Sequence, residues 1–227
     1  KNGAQWSYLA VAGEKTIDKR ISSITLRDGG IINLFDDNLE AFWDEIGLLP
    51  LLKEGNYDVE HNYVRIGDLK GSDGIFRLDL NSDDRTQSDM VFIESSNEPG
   101  RHWIEPYRPS QLVSVSADNT LTFALTQKEA NDVTFADKIN IYGETLYDYE
   151  LSIDHETISS EDLAELEDQI KSNYTDFEDF KVSDYEDGTR WFINRVTVSE
   201  SAATVGVRNA GWAAYDAVMQ MLSLIHI

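Results

Sequence analysis

Short runs in which apolar and polar residues alternate, separated by Gly, Asn and Asp, dominate this chain. A period of two is the pattern of a half-buried strand. It marks residues 7–12, 21–27, 30–35, 62–66, 74–80 and 89–94, then 100–105, 112–115, 120–125, 138–142, 147–153 and 190–198. Within 74–80, Phe76, Leu78 and Leu80 alternate with Ile75, Arg77 and Asp79, so the first three are expected to face a core. The same logic turns Leu121, Phe123 and Leu125 inward.

Three segments depart from that rhythm. Residues 36–46 place Leu39, Phe42, Trp43 and Ile46 on one helical face behind an acidic first turn. Residues 160–171 follow a Ser160 cap with Leu163, Leu166 and Ile170, an apolar stripe on an acidic helix. In 199–221 the glycines Gly206 and Gly211 weaken the helical pattern, but 210–221 is a good helix candidate. Few strands are joined by a two-residue hairpin signal, which favours a coiled parallel arrangement over an up-and-down barrel. No fixed internal period is visible, so pattern alone reaches an all-β fold, either sandwich or solenoid.

Charge narrows the partners. Forty-two acidic and nineteen basic residues give a net charge of −23, which repels phosphate backbones and anionic lipid, so no nucleic-acid partner is expected. Cysteine is absent, which excludes thiolate catalysis and disulfides and suits a chain that threads unfolded through an oxidising compartment. No run of 18 or more apolar residues suggests a membrane-spanning helix. The chain starts at Lys1 with no signal-peptide pattern nearby. Residues 222–227 (LSLIHI) read as a translated sequencing adapter rather than protein, so the natural chain is expected to run on past Met221.

A longer-range order then emerges. Gly74, Phe76, Leu78 and Asp79 are followed by Ser88-Asp89, by Gly100, His102 and Ile104, and by Phe123 and Leu125. Tyr147, Tyr149 and Leu151 come next, and Trp191 closes the series. This order resembles the C-terminal part of pertactin-like autotransporter passengers, over a little more than half the chain. There a Gly-x-Phe-x-Leu rung precedes Ser-Asp, Gly-x-His-x-Ile, Phe-x-Leu, Tyr-x-Tyr-x-Leu and Trp strands. Three departures stand out: the acidic stretch 154–188 lengthens the gap before Trp191, 36–56 would be a helical insertion between rungs, and Phe192 stands where the family commonly has Tyr.

The resemblance implies an all-β fold, the end of a right-handed parallel β-helix with a C-terminal cap and short helical insertions. Residues 1–80 would be the last rungs, with a helical insertion near 36–56. Residues 81–198 would be an autochaperone-like cap with an acidic helical insertion near 154–188, and 199–221 the start of a linker helix. It further implies a non-catalytic role in folding, outer-membrane translocation and surface display of an adhesin-like protein. The partner would be the protein's own C-terminal outer-membrane β-barrel, with host or matrix ligands engaged by upstream rungs. The expected location is the cell surface, anchored to the bacterial outer membrane.

Local motifs for chemistry are thin. His61, His102 and His155 lie far apart with no zinc-ligand spacing, and His102 reads as a packing residue. Residues 79–84 imitate the start of a calcium loop, but Asp84 and Met90 occupy the positions of the loop glycine and closing glutamate, which favours an Asp-rich turn. No Gly-x-Ser-x-Gly elbow and no phosphate-cradling glycine loop occurs. Acid pairs such as Asp44/Glu45 and Asp83/Asp84 are plentiful because the whole chain is acidic, so no catalytic, cofactor-binding or metal-binding residue and no cofactor is assigned. Trp43, Trp103, Tyr107 and Trp212 are possible carbohydrate-stacking aromatics, with core packing the commoner fate. A β-helical polysaccharide-active enzyme and a phage tail-spike fragment stay open as alternatives. The enzyme would need a convergent acidic pair lined by basic and aromatic groups in one groove.

Overall fold

A computed structural model describes residues 5–7, 19–34, 63–83, 88–107, 109–137, 147–173, 180–200, 205 and 209–210. The alternating runs form β1 (Gln5–Ser7), β2 (Lys19–Ile21), β3 (Ile24–Thr25), β4 (Ile31–Asn33), β5 (Tyr63–Lys70) and β6 (Ile75–Leu78). They continue as β7 (Met90–Glu98), β8 (Arg101–Pro106), β9 (Leu121–Thr126), β10 (Thr134–Asp137), β11 (Tyr147–Thr157) and β12 (Thr189–Glu200). Between the last two lies the helix α1 (Ser160–Asn173). One sheet, ordered β1-β4-β6-β8-β10, is wholly parallel. The other, ordered β11-β12-β9-β7-β5-β2, is parallel from β9 to β2 and antiparallel at the β11–β12 end.

The expected all-β, right-handed parallel β-helix is therefore corrected. The chain is mixed α/β, with 53% strand and 17% helix in two sheets, one parallel and one mixed, that do not form a solenoid. The departure lies at the C-terminal end, where β12 pairs antiparallel with β9 and β11 and the stretch 154–188, expected to be an insertion, covers the sheet. Its helix buries Leu166 and Ile170, with Leu163 partly covered, against Tyr63, Met90, Phe92 and Leu125 on the outer face of the mixed sheet. Phe92 meets Phe180 edge to face at 4.8 Å and Tyr185 at 5.7 Å. A second core thus lies outside the sheets. The first, between them, gathers Ile32, Leu78, Val91, Ile93, Ile104, Phe123 and Trp191 among others. Strands with apolar cover on both faces lose their alternation, as Met90, Val91, Phe92 and Ile93 do, all fully buried.

Inside this frame most inward positions follow the alternation, Phe76, Leu78 and Leu80 included. Leu125 does not. A register shift between Trp191 and Phe192 leaves Phe123 of β9 unopposed on β12, so β9 carries one extra residue there. The bulge reverses the faces beyond it: Leu121, Phe123 and Ala124 join the inter-sheet core, while Leu125 joins the helix side. The segment 112–115 is not a strand, because Leu112 closes a 3-10 turn that starts at Pro109. The helix cap is Ser159 rather than Ser160. Ser159 Oγ accepts the Asp162 N–H at 3.3 Å, and Asp162 accepts the Ser159 N–H at 2.9 Å, a reciprocal capping box.

Tight turns stack on one another at one corner of the sheets. Gly71, at φ +89°, donates its N–H to Glu98 O at 3.0 Å, and Gly100 O accepts the Thr134 N–H at 3.0 Å. A Cβ on Gly100 would overlap the carbonyl oxygen of Gly71, so this turn needs glycine for close backbone approach. The helix expected over 36–46, the insertion 36–56, the strand 138–142 and residues 222–227 lie outside the described residues. Of 199–221, Val205, Asn209 and Ala210 are helical, and 199–200 end β12. Among the described residues no helix is long and apolar enough to cross a membrane.

Candidate functional site

Apolar rows that run through the parallel sheet end at its β10 edge. In one row Ile32 pairs with Phe76, Phe76 with Ile104, and Ile104 with Asp137. Asp137 thus takes an inward position just where the sheet stops. Its Oδ2 accepts the Leu151 N–H at 2.9 Å, linking the edge of the parallel sheet to β11 of the mixed one. Burial pushes the Asp137 carboxyl above the ordinary carboxylate range; the Leu151 N–H opposes this, and the negative charge of Glu150 adds to it.

Around that link lies an open groove of about 440 Å³. Arg101 enters from β8, and Asp137 from β10. Glu150, Ser152, Arg195 and Thr197 come from the β11–β12 pair. Ser152 stands opposite Arg195 and Glu150 opposite Thr197, so these four side chains form a two-by-two block on one face of the hairpin. Phe135, Leu151 and Ile153 supply the apolar part of the lining. The guanidinium of Arg101 lies 4.6 Å over the ring of Trp103. The arrangement offers cationic donors and carboxylate acceptors in one polar cleft.

The residues singled out from the sequence lie elsewhere. His102 is fully buried between Phe76 and Phe135, with ring centroids 5.8 and 6.4 Å away. His155 stacks on Trp191 at 4.7 Å. His61, Trp43, Trp212, Asp44, Glu45 and Asp84 lie outside the described residues. The Asp-rich turn is tied into the protein: the Asp79 N–H donates to Asp89 at 2.7 Å, the Asp83 N–H to Asn81 Oδ1 at 3.0 Å, and Ser114 Oγ to Asp83 at 3.0 Å. Trp103 and Tyr107 are half-buried. Among the described residues no three His, Asp or Glu side chains gather as a metal site.

A second polar feature is buried on the outer face of the parallel sheet. Asn33 pairs in register with Arg77, and Arg77 with Glu105. Arg77 donates from Nε and Nη2 to Glu105 Oε1 at 3.1 and 2.9 Å, while Glu105 Oε2 and both amide atoms of Asn33 are buried without a hydrogen-bond partner among the described residues. None of the groove residues carried a local signal, since Arg101, Asp137, Glu150 and Arg195 are spread along the chain and meet only through sheet pairing. No protein-family model, no curated protein and no solved structure matches this chain.

Proposed function

We propose that this chain is a non-catalytic module of an autotransporter-type surface protein. It supports folding, outer-membrane translocation and display of an adhesin-like protein, with the protein's own β-barrel as partner. The observation that carries the reading is the unequal length of the strand ladders. β11 and β12 pair through eleven residue positions, whereas β7 and β9 pair through three. A long antiparallel ladder with its own helix brings most of its contacts with it, whereas short parallel ladders depend on an edge already in place. The β11–β12 unit therefore suits a C-terminal template that folds early and hands its edge to β9. The order of strand motifs quoted above is the second support.

Determining the coding sequence around this chain tests the reading. A continuation into a linker helix and then alternating, aromatic-ended strands is the expected outcome. A frame that stops soon after Met221, or runs on without such strands, overturns it.

A further inference from the structure

Of the seven arginines among the described residues, five stand in ion pairs. Arg20 and Arg65 share Glu94, Arg27 pairs with Glu98, Arg77 with Glu105 and Arg190 with Glu156. Arg101 and Arg195 are the other two among the described residues. Both are exposed, and neither has a carboxylate partner among the described residues. The guanidinium of Arg101 rests over the Trp103 ring, and both arginines line the same groove.

We propose that this groove binds a saccharide that carries a carboxylate, such as a short oligouronide. A guanidinium matches a carboxylate with two parallel N–H donors. The same groove presents Asp137 and Glu150, which would repel a densely charged anion such as a phosphate but accept hydrogen bonds from sugar hydroxyls. Ser152 and Thr197 add donors and acceptors of the same kind. Phe135 and Leu151 are buried in the inter-sheet core and only Ile153 is partly exposed, so recognition rests on the polar groups. One carboxylate plus several hydroxyls is the ligand chemistry that uses both halves of this lining. The volume of about 440 Å³ falls within the roughly 300–1,000 Å³ of small-molecule clefts. The proposal does not rest on the folding and display role, although four of the groove residues lie on the β11–β12 hairpin.

The test titrates the 227-residue chain with trigalacturonate and with a hyaluronan tetrasaccharide, each beside its carboxyl-reduced, neutral counterpart. Calorimetry and amide chemical-shift mapping read the binding. At least one carboxylated probe is expected to bind, with shifts at the amides of Asp137, Glu150 and Ser152, and its neutral counterpart to bind at least ~10-fold more weakly. Arg101→Gln and Arg195→Gln are each expected to lose about tenfold in affinity, while the thermal midpoint holds, as both side chains are exposed. No binding of either probe at millimolar concentration overturns the proposal. So does equal binding of the neutral counterparts, or full affinity in the double variant with an unchanged thermal midpoint.

Discussion

His102 gives this fold a calculable weakness to acid. Its ring is fully buried, neither nitrogen has a hydrogen-bond partner among the described residues, and its neighbours are Phe76 and Phe135. Burial removes the water that would stabilise the imidazolium and lowers the pKa from 6.5 to about 4, with the charge of Asp73 acting weakly the other way. The unfolded chain takes up the proton near the ordinary value, so it binds more protons than the folded chain between those two pH values. The stabilisation is therefore complete above about pH 6.5, declines as pH falls, and is exhausted near pH 4. At 1.36 kcal/mol per unit the whole span is worth about 3 kcal/mol, of which ~2 kcal/mol is gone by about pH 5. Denaturant unfolding of the native chain and of His102→Leu, each at about pH 7 and pH 5, measures it. Other titrating groups cancel in the comparison, and so does any constant cost of the substitution. The variant should lose ~2 kcal/mol less than the native chain over that interval. Equal losses in the two proteins would refute a neutral, desolvated His102.

Other features give equally direct expectations. Gly100→Ala places a methyl group against the Gly71 carbonyl oxygen and should destabilise by about 2–4 kcal/mol in equilibrium unfolding. Gly29→Ala has open space around its Cβ, and only its φ of +75° opposes the change, at a cost of ~1 kcal/mol. Arg77→Ala strands the buried Glu105 carboxylate and should cost about 3–5 kcal/mol, partly recovered in Arg77→Ala/Glu105→Gln, as a double-mutant cycle would register. The non-catalytic reading predicts that incubation of the chain with oligouronides releases no new reducing ends; sustained release that Asp137→Asn abolishes would contradict it.

How far the sequence could be read depended on whether one neighbour or two covered a strand. Phe76 and Leu78 alternate cleanly with Arg77, and their inward orientation was legible. Met90 to Ile93 is a continuous apolar run, and its meaning, cover on both faces, was there to be read. The stripe Leu163, Leu166 and Ile170 was legible as a helix face, but its destination on Phe92 and Leu125 was not, because periodicity names no partner. Leu125 was misplaced because a bulge leaves no mark in an alternating pattern. The groove was the least legible feature: Arg101, Asp137, Glu150 and Arg195 are each an unremarkable polar residue within a strand. Only strand pairing and the edge position of β10 bring them together.

The same pairing joins the two roles argued for this molecule. Glu150, Ser152, Arg195 and Thr197 ride on the β11–β12 hairpin, while Arg101 and Asp137 belong to the parallel sheet. The groove therefore exists only once the hairpin has docked, and the Asp137–Leu151 hydrogen bond is one of the contacts that close it. A ligand that spans both walls binds the docked state and not the undocked one, so it stabilises docking by mass action. A saccharide at a hundredfold its dissociation constant would add ~2.7 kcal/mol to that equilibrium. That is comparable to the whole contribution of His102 to acid stability. Binding at the groove would thus firm the element from which the mixed sheet is built, through the two walls it touches.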